Sequence, residues 1–160
     1  MMKRKRSFNF KTRSTRAGYT VTSNNTYTLV VNASTGFLAE VRNFVAEHAS
    51  NFGFDDKQVS DIRLAVDEAC TNIIKHAYKF DQDQSVEIKI GLQDEKLWVS
   101  LKDTGDAFDP RSYSKPDLRE QMKSRKRGGV GVYLIKKLMD EVEYVKLDDA
   151  NVILMYKKRA

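Results

Sequence analysis

Apolar side chains recur along this chain at two periods, and the switches between them mark out the elements. Tyr27-Thr28-Leu29-Val30-Val31 alternates and is rich in β-formers, which predicts a strand. Ser34 stands where it can cap a helix whose apolar positions Leu38, Val41, Val45 and His48 recur at steps of three and four. Asn51 to Phe54, around Gly53, breaks that pattern. Asp55 followed by Gln58 forms a capping-box signature for a second helix. Val59, Ile62, Val66, Ala69, Ile73 and Ala77 lie on one stripe of that helix, which is expected to run to about Tyr78.

Beyond Tyr78 the period changes to two. Val86 to Leu92 and Leu97 to Leu101 both alternate, and the polar turn Gln93 to Lys96 joins them as an antiparallel hairpin. Leu97, Val99 and Leu101 share a parity with Asp103, so Asp103 should end its strand on the core side. Asp106 to Arg127 departs from regular structure and holds both prolines, Pro110 and Pro116. Residues 109–127 carry seven basic and three acidic side chains, and an irregular stretch of this length inside a domain predicts a cationic lid. Helical spacing returns from Gly131 to Asp140 with Leu134, Ile135 and Leu138. Val142 to Leu147 and Val152 to Tyr156 then close the chain as a second hairpin across Asp148-Asp149-Ala150. This order predicts an α+β sandwich with helices on one face of a largely antiparallel sheet.

Composition narrows the class. A chain of 160 residues, 41% apolar and 31% charged, has the make-up of one ordinary globular domain. No apolar run approaches the roughly 18 residues that span a bilayer, so no membrane partner is expected. With Cys70 as its one cysteine the chain forms no internal disulfide, and a cytoplasmic location is expected; Cys70 itself lies on an apolar stripe and reads as a packing residue.

The net charge of +6 is unevenly placed. Residues 1–20 hold Lys3, Arg4, Lys5, Arg6, Lys11, Arg13 and Arg16 and no acid; setting those seven aside, the body has 21 basic against 22 acidic residues. Residues 1–24 therefore read as a basic tail without regular structure, and residues 25–158 as the domain. A nucleic-acid partner is not expected, unless through that tail.

Three polar groupings carry candidate chemistry. Glu68 and Asn72, four apart on the second helix, face the same way. An amide oxygen is a suitable hard ligand for Mg²⁺, and a carboxylate one turn earlier can take a proton from a hydroxyl. The same pair is also common on solvated helix faces. Asp103, with Gly105 two residues on, places a carboxylate where it could accept from the amine of adenine, although Asp-x-Gly equally makes a simple turn. Gly128-Gly129-Val130-Gly131 ahead of a helix offers backbone N–H groups to phosphates, or a hinge, and Arg127 beside it could reach a terminal phosphate. No Walker-type glycine-lysine loop is present, and His48 and His76 make no zinc signature.

Glu68-Ala69-Cys70-Thr71-Asn72-Ile73-Ile74-Lys75-His76-Ala77-Tyr78, then Asp103-Thr104-Gly105, then Gly128-Gly129-Val130-Gly131-Val132-Tyr133-Leu134-Ile135, together resemble the bacterial anti-sigma factor serine kinases of the histidine-kinase-like (gyrase, chaperone, histidine kinase, MutL) ATPase superfamily. The likeness spans roughly residues 25–158. It implies the Bergerat fold, a two-layer α/β sandwich with a mixed, mostly antiparallel sheet and a lid loop, binding ATP with Mg²⁺. By position, the resemblance implies Glu68 as general base, Asn72 as metal ligand, and Asp103 with Gly105 at adenine. Gly129 and Gly131 would bound the phosphate turn, and Arg127 would act from the lid. The Gly-Thr pair that usually precedes the last strand is replaced by Ala150-Asn151, whose amide can still hydrogen-bond in the adenine pocket.

Sensor histidine kinases commonly carry Asn where Glu68 stands. Imidazole needs no strong base to attack phosphorus, whereas a serine hydroxyl does. Phosphorylation of a serine is thus the expected chemistry, and the resemblance implies an anti-sigma factor antagonist protein as its substrate and sequestration of a sigma factor or similar regulator. A homodimer is the family expectation. The rival expectation is an ATP-binding switch module that sequesters a partner without phosphorylating it.

Overall fold

The computed structural model describes residues 12–14, 20–22, 25–106 and 130–160. In chain order the elements are β1 (Thr12–Ser14), β2 (Thr20–Thr22), β3 (Thr26–Asn32), α1 (Leu38–Asn51), α2 (Asp56–Asn72), β4 (Ser85–Gln93), β5 (Lys96–Asp103), α3 (Val130–Leu138), β6 (Glu141–Lys146) and β7 (Asn151–Lys158). A 3₁₀ turn, Thr35–Phe37, leads into α1, and a π-helical turn, Ile73–Ala77, prolongs α2. The strands form one sheet in the order β1-β2-β3-β4-β5-β7-β6, and every described pairing is antiparallel. The chain is thus the α+β sandwich that its periodicities predict. Two short strands that those periodicities do not signal, β1 and β2, fall within the basic N-terminal stretch and pair outward from β3.

Alternation along the strands decides which face is buried. Leu29, Val31, Val86, Ile88, Ile90, Leu97, Val99, Leu101, Ile153 and Met155 point to the helices and merge with Val41, Val45, Ile62, Val66, Ala69 and Ile135 in a single core. Asp103 continues the parity of Leu97, Val99 and Leu101 and is buried with them, 6% exposed.

Local chemistry explains the boundaries. Asp55 Oδ1 accepts from Gln58 N at 2.8 Å, and Gln58 Oε1 accepts from Asp55 N at 3.5 Å, so α2 opens on the capping box its sequence announces. Ser34 Oγ accepts from Gly36 N at 3.2 Å and so serves the 3₁₀ turn that feeds α1 rather than the helix proper. Asp94 and Glu95 both take positive φ, as a two-residue hairpin turn between twisted strands requires. Lys157 Nζ donates to Leu138 O at 2.6 Å, setting a cation on the last turn of α3. No described helix is long and apolar enough to cross a membrane.

β7 does not lie beside its sequence neighbour alone. It inserts between β6 and β5, so Asn151, its first residue, stands directly opposite Asp103, the last residue of β5. One end of the sheet thereby gathers side chains that are 48 positions apart in the chain.

Candidate functional site

α2 builds one wall. Its apolar stripe is buried in the core, which turns Glu68 and Asn72, one turn apart, toward α3 as half-buried polar groups. α3 meets them at Gly131: a Cβ placed there would lie 2.9 Å from Glu68 Oε2, 3.3 Å from Asn72 Oδ1 and 3.4 Å from Asn72 Nδ2. A larger residue at this place would push the tip of Glu68 aside, so the glycine keeps both side chains close to the first turn of α3. The carboxylate and the amide therefore converge on the amino end of a helix, where free N–H groups favour anions.

Glu68 is electrostatically set apart from an ordinary surface glutamate. Burial pushes its carboxyl above the usual range, the neighbouring charge of Asp67 adds to the rise, and Lys75 partly offsets both. Asp67 is held by Arg42 of α1 through two bonds, Nε to Oδ1 at 2.8 Å and Nη2 to Oδ2 at 3.2 Å. This fork fixes a second carboxylate one residue from Glu68, and neither Arg42 nor Asp67 was signalled by motif or spacing. A charged pair joining two helices looks like any solvated surface pair until the helices are packed.

The sheet end builds the other wall. Asp103 Oδ1 accepts from Gly105 N at 2.9 Å and from Asn151 Nδ2 at 3.0 Å, and Asn151 Nδ2 also donates to Gly105 O at 3.1 Å. Both partners of the Asn151 amide nitrogen are acceptors, so the amide orientation is determined: turned over, its oxygen would face two oxygens. Among the described hydrogen bonds, Oδ1 of Asp103 takes both donors and Oδ2 takes none. Gly105 packs against the end of α2, where a Cβ would come within 2.4 Å of Ala77 O. Asp106 N donates to the same carbonyl at 2.9 Å.

The structure thus brings Glu68, Asn72 and Gly131 together at the helical wall, and Asp103, Gly105 and Asn151 together at the sheet end. Arg127, Gly128 and Gly129, and the rest of the stretch expected to form a lid, lie outside the described residues. No cluster of three or more His, Cys, Asp or Glu side chains suited to a metal occurs among the described residues. Cys70 is fully buried and its thiol is pushed up to about 12 by burial, as a packing residue should be. His48 is buried too, stacked on Tyr27 with ring centres 4.0 Å apart.

Several known proteins resemble this chain in sequence or in fold. Residues 31–157 match the histidine kinase-like ATPase domain. The serine-protein kinase RsbW of Bacillus licheniformis is 35% identical over 116 residues, covering 68% of this chain and 70% of the relative. That of Bacillus subtilis (strain 168) is 36% identical over 117 residues, covering 70% and 72%. In three dimensions the chain is similar to the crystal structure of the RsbU and RsbW domains of Rv1364c from Mycobacterium tuberculosis. The TM-score there is 0.60 at 17% identity, over 85% of this chain and 33% of that one. It is similar also to the SiaB–SiaC complex from Pseudomonas aeruginosa, with TM-score 0.56 at 12% identity, over 81% and 88%. Sequence and fold agree on one assignment: the chain belongs to the histidine kinase-like ATPase domain family, with serine-protein kinases named RsbW among its relatives.

Proposed function

We propose that this chain is an ATP-dependent protein-serine kinase of the anti-sigma type. It would phosphorylate a serine on an anti-sigma factor antagonist and sequester a sigma factor or similar regulator. Membership of an ATPase domain family implies ATP binding, and the RsbW relatives are named serine-protein kinases. The observation that carries the reading further is Glu68, a half-buried carboxylate beside Asn72 at the amino end of α3, with its pKa raised by burial.

In this reading Asp103 Oδ2 accepts from the exocyclic amine of adenine, while Asn151 and the Gly105 amide hold Oδ1. Guanine, with a carbonyl at that place, is repelled. Gly129 and Gly131 let the backbone meet the phosphates, and Arg127 comes to the terminal phosphate from the lid. Asn72 offers a hard amide oxygen beside Glu68 at the α3 terminus, and magnesium, which keeps several waters and takes few protein ligands, fits that sparse donor set. Bound there with the nucleotide, the ion would neutralise phosphate charge. Glu68 accepts the proton of the serine hydroxyl as the oxygen bonds to the γ-phosphorus. The bond from that phosphorus to the bridging oxygen then breaks, and ADP leaves.

The same proposal places the protein in the cytoplasm as a homodimer. Its test is transfer of labelled γ-phosphate from ATP to a candidate antagonist, with the modified residue mapped by mass spectrometry. Label on serine supports the kinase. Tight complex formation without any label would instead mark a module that sequesters its partner without chemistry.

A further inference from the structure

The end of α2 departs from a regular helix just after Asn72. Tyr78 N donates to Ile73 O at 3.0 Å, five residues back, and Phe80 N donates to Ile74 O at 2.9 Å. Lys79 and Phe80 then adopt φ of 49° and 65°, a left-handed exit that non-glycine residues rarely take. Such conformations persist where surrounding contacts determine them. Here the contacts centre on Tyr78, whose ring is buried at 6% exposure.

The Tyr78 hydroxyl donates to Ser85 O at 2.6 Å and accepts from Thr104 N at 2.8 Å, with Thr104 Oγ1 at 3.4 Å. One oxygen therefore joins the exit of α2, the first residue of β4 and the residue between Asp103 and Gly105. Thr104 is the residue whose backbone sets where Asp103 ends and where Gly105 begins. The Asp103–Gly105 turn is gripped from β7 by Asn151 and from α2 by Tyr78.

We infer that Tyr78 is a positioning residue for base recognition: its hydroxyl holds the Asp103–Gly105 turn at a fixed height over the helix that carries Glu68 and Asn72. The inference rests on the proposed ATP site and concerns only its adenine half. The hydroxyl does not touch the nucleotide. It acts by keeping Asp103 Oδ2 aimed at the base, so its removal weakens contacts to the base and leaves contacts to phosphate alone.

Tyr78→Phe removes the hydroxyl and keeps the ring. Binding of ATP, adenosine and inorganic tripolyphosphate to the full chain is measured by calorimetry, with amide hydrogen exchange at Thr104. The expected result is a loss of about tenfold in affinity for both ATP and adenosine, unchanged affinity for tripolyphosphate, and faster exchange at Thr104. Asn151→Ala releases the same turn from the β7 side, since its amide holds both Asp103 Oδ1 and Gly105 O, and this second variant should show the same adenosine-specific loss.

Adenosine affinity unchanged in Tyr78→Phe overturns the inference, as does equal loss for adenosine and tripolyphosphate, which would mean a merely structural tyrosine. Failure of the unaltered chain to bind ATP would overturn the proposed function and this inference together. Loss confined to adenosine contacts, in a parent that binds ATP, supports both.

Discussion

A Cβ on Gly131 would stand 2.9 Å from Glu68 Oε2, closer than side chains tolerate, so Gly131→Ala must displace either the carboxylate or the first turn of α3. Phosphoryl transfer depends on sub-ångström placement, and the expected effect is a fall of about 100-fold in transfer rate. The fold should survive, with the midpoint of thermal unfolding lowered by only a few degrees; that pair of readings checks the assignment. At this scale the periods alone carry part of the way: they put Glu68 and Asn72 on one helix face and Asp103 at a buried strand end. The same residues also suit a solvated face and a simple turn, so the roles proposed for them and for Gly105 come from the motif resemblance. Asn151 was recognisable only as a departure from a motif. Its bonds to Asp103 and Gly105 depend on β7 entering the sheet next to β5, a long-range pairing that no local pattern encodes. Tyr78 was visible as part of a motif, but its role arises where three segments meet.

Helix α2 owes its start to the Asp55–Gln58 box, and Gln58 Nε2 also donates to Lys158 O at 2.9 Å, so the box joins the helix to the end of β7. Asp55→Ala should cost about 1 kcal/mol of stability, the usual value for a lost cap, measured by urea unfolding. α1 supplies a pH effect. Burial against Tyr27 and Phe44 holds the His48 imidazole below its ordinary 6.5. The unfolded chain then binds a proton that the folded chain refuses, so stability is full above about pH 6.5 and is lost as pH falls through the depressed value. His48→Phe should flatten that slope in unfolding curves between pH 7 and about 5; an undiminished slope would place the acid sensitivity elsewhere. The capping box was legible in four residues because it is a local bargain between side chain and backbone. The π turn at Ile73–Ala77 was not, since its one-residue shift of bonding follows from what docks on the helix end.

Over the whole molecule, the groups proposed to bind nucleotide are strung along α2, whose last turn faces the amino end of α3 at Gly131 and whose exit packs on Gly105 beside the joined ends of β5 and β7. A ligand bridging those elements should stabilise all of them together. ATP with magnesium at 100 times its dissociation constant is expected to add about 2.7 kcal/mol to unfolding free energy. EDTA should remove most of that gain, and equal protection by GTP would argue against Asp103 as the reader of adenine. The element order and the antiparallel sheet were legible from periodicity, because β5 alternates without a break, β4 does so over most of its length, and α1 and α2 each carry an apolar stripe. β1 and β2 were not, since three-residue strands carry too few positions to show a period.

The central claim is that Glu68 takes a proton from a serine hydroxyl rather than merely lining a nucleotide pocket. Transfer of labelled γ-phosphate from ATP to a candidate antagonist, by the unaltered chain and by Glu68→Gln, with ATP affinity of both measured alongside, tests it most directly. The account predicts a loss of at least about 100-fold in serine labelling with ATP affinity within about threefold of the parent. Equal labelling of serine by the two proteins would contradict it.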